Sequence, residues 1–188
     1  MAISINQFKN GSTLLIDGSV FQVIVLQHVK PGKGAAFVRT KLRNLKNDAI
    51  IERTFRGDER VDEAFVEERK LQYLYQKDGI YHFMDQETFE ESILSKDVLK
   101  DKAMFLKDNL AVTTLMHKGE VLDIILPNSI DLKVIYTEGG IKGDTVKAGT
   151  KQATLETGTA VQVPLFIETG DIIKVDTRTG EYIERAYS

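Results

Sequence analysis

The chain has 188 residues, 42% of them hydrophobic and 28% charged, with no cysteine and a formal net charge of -3. This is the composition of a globular protein rather than a disordered one, and the absence of thiols excludes disulfides and thiolate zinc centres. No apolar run approaches the roughly 18 residues of a membrane helix, and the start MAISINQFKNG lacks the basic and apolar regions of a secretory signal, so a cytoplasmic protein with no membrane attachment is expected.

Strand patterns begin early. LIDGSV (15–20) carries an Asp-Gly turn and reads as a hairpin. It runs into the β-branched stretch FQVIVLQHV (21–29), the turn KPGKG (30–34) and the alternating AFVRTKLRNL (36–45), which together predict a second hairpin with the turn at its tip. A further strand is expected over 49–55. Several short strands in about 60 residues suggest a small barrel.

The sign of the charge changes near 61–69, where a boundary is expected: residues 1–60 carry +5, 61–128 carry -6 and 129–188 carry -2. A molecule polarised in this way can orient against a charged partner. LQYLYQKDGIYHFMD (71–85) predicts two strands about Asp78–Gly79. Residues 87–109 predict a helix, from Phe89 and Ile93 at i, i+4 and from Phe105. LAVTTLMHKGEVLDIILP (110–127) predicts a hairpin turning at Lys118–Gly119. Beyond Pro127 everything reads as strand and turn, and Pro164 within AVQVPLFI implies an edge strand or a bulge. The expected organisation is three β domains: 1–63, 64–127 and 128–188.

The stretch from Lys30 to Lys46 has six basic residues and no acid. In Lys30-Pro31-Gly32-Lys33-Gly34, proline suits the second position of a type II turn and Gly32 the third, which needs a positive φ. Gly34 removes bulk beyond Lys33, so the lysine is expected at a narrow projecting tip; a plain solvated turn is the alternative. On the following strand the two-residue period sets Arg39, Lys41 and Arg43 on one face, about 7 Å apart. That spacing suits a row of phosphates, which contribute affinity without sequence selectivity; a solvated strand face is the alternative.

No catalytic constellation appears. A phosphate-binding P-loop would need glycine and Ser/Thr where the chain has Gln27 and Gly34. His28, His82 and His117 are not spaced as metal ligands. No enzyme activity, metal or cofactor is therefore expected. Lys142-Gly143-Asp144-Thr145 is a glycine-punctuated loop that suits a turn or a nucleic-acid contact.

HVKPGKGAAFVRTKLRNL (28–45), KGDTV (142–146), ATLETG (153–158), VPLFIETGD (163–171) and IKVDTRTGEY (173–182) together resemble the bacterial translation elongation factor P family, over essentially the whole chain. One departure is Gln152, where many members have proline. The resemblance implies an N-terminal SH3-like, KOW-type barrel followed by two OB folds in an L-shaped, tRNA-like arrangement. It also implies a monomer that binds the 70S ribosome beside the P-site peptidyl-tRNA and relieves stalling at consecutive prolines. Lys33 is then the residue that a lysine-modifying enzyme extends, presented by Lys30, Pro31, Gly32 and Gly34. Arg39, Lys41, Arg43, Gly143, Asp144 and Thr145 are the implied contacts to tRNA or ribosomal RNA.

Overall fold

The computed structural model describes residues 2–32, 34–138 and 149–186. The first strands in chain order are β1 (Ala2–Ser4), β2 (Thr13–Ile16), β3 (Ser19–Val29), β4 (Phe37–Asn44), β5 (Ile50–Arg56) and β6 (Arg60–Glu63). Then come β7 (Glu67–Lys77), β8 (Ile80–Asp85), β9 (Glu91–Ser95), the single-turn helix α1 (Lys96–Leu99), a 3-10 turn (Lys100–Phe105), β10 (Ala111–His117) and β11 (Glu120–Ile125). β12 (Ser129–Thr137), β13 (Thr150–Leu155), β14 (Ala160–Pro164), β15 (Ile172–Asp176) and β16 (Tyr182–Ala186) complete the described elements. They form a mainly β fold of three sheets, ordered β1-β6-β2-β3-β4-β5, β11-β10-β7-β8-β9 and β14-β13-β12-β15-β16.

The chain divides into two compact units. The first is Met1–Glu68 with Thr114–Asp123, and the second is Arg69–Thr113 with Ile124–Ser188. In the first unit, β2 turns into β3 at Asp17 and Gly18, with φ of 49° and 77°. Two positive values in a row are what a two-residue hairpin turn of type I′ requires, and the Asp-Gly pair supplies them. Alternation along these strands loads both faces of the sheet. Leu14, Ile16, Phe21, Val23, Val38, Leu42 and Phe55 pack into one cluster, closed by the edge-to-face contact of Phe8 and Phe55 at 5.2 Å. Leu15, Val20, Leu45 and Ala64 pack into another with Leu115 and Leu122. Each fully buried aliphatic or aromatic side chain contributes about 1.5–3 kcal/mol, so a small domain with two such clusters has a substantial core.

In the second unit the Tyr73 and Phe83 rings meet at 5.3 Å, among buried Leu71, Leu94, Leu99, Phe105 and Val112. The helix expected over 87–109 is largely absent: residues 91–95 are a strand, followed by one α-helical turn and a 3-10 turn. Cross-strand pairing overrides the i, i+4 spacing here. Ser92, Ile93 and Leu94 sit opposite Phe83, His82 and Tyr81, and Leu94 is the residue that reaches the core, while Phe89 and Ile93 are exposed. A strand that buries one face needs only alternate apolar residues. Pro164 ends β14, which is an edge strand, as a residue without a backbone donor demands. Among the described residues no helix is long and apolar enough to cross a membrane.

Candidate nucleic-acid interface

The hairpin of β3 and β4 is the longest paired feature of the first unit. Its register runs from Phe21 opposite Asn44 to Val29 opposite Phe37, with a shift between Val23 and Val25. Residues 30–36 lie beyond the last pair, and Lys30, Pro31, Gly32 and Gly34 are all exposed. Gly34 has φ +113°, with only Pro31 Cγ, at 3.8 Å, near the place a Cβ would take. Glycine is therefore required at 34 by backbone conformation and not by space. The type II turn expected from the sequence gives the positive φ to Gly32; the structure gives it to Gly34, and Gly32 has a negative or extended φ with open space around it. Lys33, the residue these positions flank, lies outside the described residues, as do Gly143, Asp144 and Thr145.

Along β4 the burial alternates as the sequence implies. Val38, Thr40, Leu42 and Asn44 face inward, and Arg39, Lys41 and Arg43 face outward, Arg43 partly covered. Thr40 is tolerated inside because its hydroxyl donates to the Arg53 carbonyl at 2.9 Å, so no buried hydroxyl is left unpaired there. The outward row extends across neighbouring strands: Arg39 lies between Gln27 and Thr54, and Lys41 between Val25 and Glu52. These six side chains line a shallow groove of ≈ 350 Å³.

The three cations differ in what surrounds them. Arg39 stacks its guanidinium over the Phe37 ring at 5.5 Å and has no carboxylate within ion-pairing distance among the described residues. Lys41 pairs with the directly opposite, exposed Glu52 at 3.2 Å, a contact worth about 0–1 kcal/mol in water. Arg43 is held between Asp48 at 3.6 Å and the buried Asp123 at 3.9 Å, with Gln22 Oε1 at 3.5 Å. Lys46 donates to Glu120 at 2.8 Å, and that contact raises the lysine pKa and lowers the carboxyl's. The stretch that lacks acids in sequence thus receives them through the fold, from the next turn, from β5 and from β11. The sequence carries no signal for Asp123 except that its neighbour Leu122 belongs to an apolar hairpin.

The arrangement offers phosphates one guanidinium without a carboxylate partner among the described residues, one exposed ammonium in a weak pair and one largely neutralised guanidinium, on the strand that follows the exposed Lys30, Pro31, Gly32 and Gly34. Among the described residues no three His, Asp or Glu side chains gather into a group able to hold a metal ion.

Comparison with known proteins covers nearly the whole chain. Three family models match: elongation factor P KOW-like domain over residues 4–61, elongation factor P OB domain over 66–124 and elongation factor P, C-terminal, over 130–185. The elongation factor P of Moorella thermoacetica is 58% identical over 184 residues, covering 98% of this chain and 100% of that protein. The elongation factor P of Natranaerobius thermophilus is 56% identical over 183 residues, covering 97% of each. In fold, the chain is similar to the solved structure of eukaryotic translation initiation factor 5A from Methanococcus jannaschii, with TM-score 0.53 and 21% identity over 66% of this chain and 94% of that one. With KOW-like, OB and C-terminal elongation factor P models matched in turn and relatives 58% and 56% identical over nearly the full length, the chain belongs to the elongation factor P family.

Proposed function

We propose that this protein binds the 70S ribosome beside the P-site peptidyl-tRNA and speeds peptide bond formation at consecutive prolines, with Lys33 at the working tip. The observation that carries the reading is the β3–β4 hairpin. Its tip continues past the last strand pair with Lys30, Pro31, Gly32 and Gly34 exposed, and the acid-free guanidinium of Arg39 stands on the adjoining strand. A thin tip fits a crowded RNA cavity, and phosphates of tRNA or ribosomal RNA are natural partners for Arg39 and Lys41. Gly143, Asp144 and Thr145 supply a further contact in this reading.

The protein itself carries out no bond chemistry. Constraining the donor tRNA supplies orientation to a reaction that the ribosome performs, and each ~1.4 kcal/mol of such positioning is tenfold in rate. Lys33 is the substrate of a lysine-modifying enzyme that lengthens its side chain, and the factor works as a cytoplasmic monomer. The test is the synthesis rate of a triple-proline reporter with modified protein, unmodified protein and Lys33→Arg. Equal rates for all three would overturn the role of the modified lysine.

A further inference from the structure

The loop between β8 and β9 presents an aromatic ring that folding does not explain. Asp85, only 5% exposed, organises the loop: its Oδ1 accepts the N–H groups of Glu87 at 2.8 Å and Thr88 at 3.0 Å. The backbone closes around it, with Phe89 N donating to the Asp85 carbonyl and Asp85 N donating to the Glu90 carbonyl, both at 2.9 Å. Within this frame Phe89 has φ +60° and is 73% exposed. A bulky side chain in the left-handed region is an outlier, since that conformation normally falls to glycine or asparagine. The ring gains nothing from the core in return. Strain of this kind on an exposed side chain points outward, to something that receives it.

The surroundings select the class of partner. Glu87, Glu90 and Glu91, neighbours of Phe89 along the chain, are exposed. Glu91 pairs with His82, while Glu87 and Glu90 have no cation within reach among the described residues. Arg69, 3.9 Å from Asp85, is the cation that faces the loop's anchor. A collar of carboxylates repels a phosphate backbone and attracts lysine and arginine. Ile93, 62% exposed on the adjoining strand, adds apolar surface, and aromatic anchors set in apolar pockets dominate protein interfaces.

We propose that residues 85–91 form a docking finger for a protein of the ribosome: Phe89 enters an apolar pocket whose rim carries lysine or arginine, and Glu87 and Glu90 meet that rim. This rests on the ribosome-binding reading above. The full chain with p-benzoyl-phenylalanine in place of Phe89 is irradiated with purified 70S ribosomes, and the products are identified by mass spectrometry. The expected product is a crosslink to a lysine- and arginine-rich ribosomal protein, reduced at least fivefold when Glu87→Lys and Glu90→Lys are added. A crosslink to ribosomal RNA, or none while the chain still co-sediments with ribosomes, overturns the finger and leaves ribosome binding standing. A chain that does not co-sediment overturns both. In a second measurement, Phe89→Gly is expected to melt at the same or a higher temperature while its affinity for ribosomes falls severalfold. A lower melting temperature with unchanged affinity would make the ring structural and overturn the proposal.

Discussion

The β3–β4 and β8–β9 hairpins use similar backbone devices for opposite ends. Each has a residue of positive φ in its connection, Gly34 in the first and Phe89 in the second. The first connection is built from proline, glycines and alanines beside outward cations, and of its described residues only Lys30 has a long side chain. The second is braced by a buried carboxylate, collared by exposed acids, and carries an aromatic ring where glycine would be relaxed. The contrast shows that hairpin geometry alone does not specify a partner. In the two readings proposed here charge around the tip does, because a phosphate-rich surface and a basic protein surface attract opposite signs.

The largest effect expected from disturbing this contrast is at Lys33. Lys33→Ala should leave stability within ~0.5 kcal/mol, as for ordinary surface changes, yet abolish most of the stimulation of a triple-proline reporter. Lys33→Arg keeps the charge without the primary amine and should fail nearly as badly. Reporter rates at saturating factor, beside thermal melts, check both halves.

Next, the cations should separate into two kinds. Arg39→Gln should flatten the salt dependence of ribosome association by about 0.7–0.9 in the log–log slope, the share of one phosphate that is no longer neutralised. Arg43→Gln should change that slope less and lower stability by about 1 kcal/mol, since it removes a counter-charge from Asp48 and Asp123. Equal losses of slope for Arg39→Gln, Lys41→Gln and Arg43→Gln in binding titrations across salt, with urea melts alongside, would mean that all three cations serve phosphates alike and would deny the separation.

A smaller effect belongs to the second hairpin. Phe89→Gly relieves a left-handed aromatic and should raise stability by up to about 1 kcal/mol; the added freedom of glycine in the unfolded chain works against this. A clear loss in a urea melt would mean that the ring packs in solution.

The smallest effect is in pH. The N–H groups of Thr88 and Glu87 hold the Asp85 carboxyl below its ordinary range, with Arg69 adding to the effect. Its folded-state pKa is depressed, so its contribution is present above the ordinary carboxylate pKa and is lost as pH falls through the lowered one. Amide exchange at Glu87 and Thr88 should therefore speed up, relative to the rest of β8 and β9, only at strongly acidic pH. Asp85→Asn should remove that dependence. Identical acid profiles for the two proteins would deny the carboxylate its bracing role.

Much of this is legible in the sequence. The period of two separates Arg39, Lys41 and Arg43 from Val38, Thr40 and Leu42 on β4, the Asp-Gly pair places the β2–β3 turn, and of the edge or bulge that Pro164 implies the structure has the edge. The motifs from residue 28 to residue 182 point to the family. The helix expected over 87–109 fails because Phe89 and Ile93 satisfy a helical spacing by coincidence, while the pairing of β9 with β8 decides the matter from outside the segment.

The sequence by itself determined the features that follow from neighbouring residues: which side chains alternate, where φ must turn positive to within a residue or two, and where six cations run without an acid. These depend on the two-residue pleat and on the steric limits of each residue type, and both act locally. Only the tertiary structure decided which cations stay free of acids. It brought Glu52 across from the adjoining strand to Lys41 and Asp123 from a distant hairpin to Arg43, and left Arg39 against an aromatic ring. Coulomb attraction depends on distance in space and on burial, not on separation along the chain. For that reason the charge that a partner meets on this hairpin can be read only once the chain has folded.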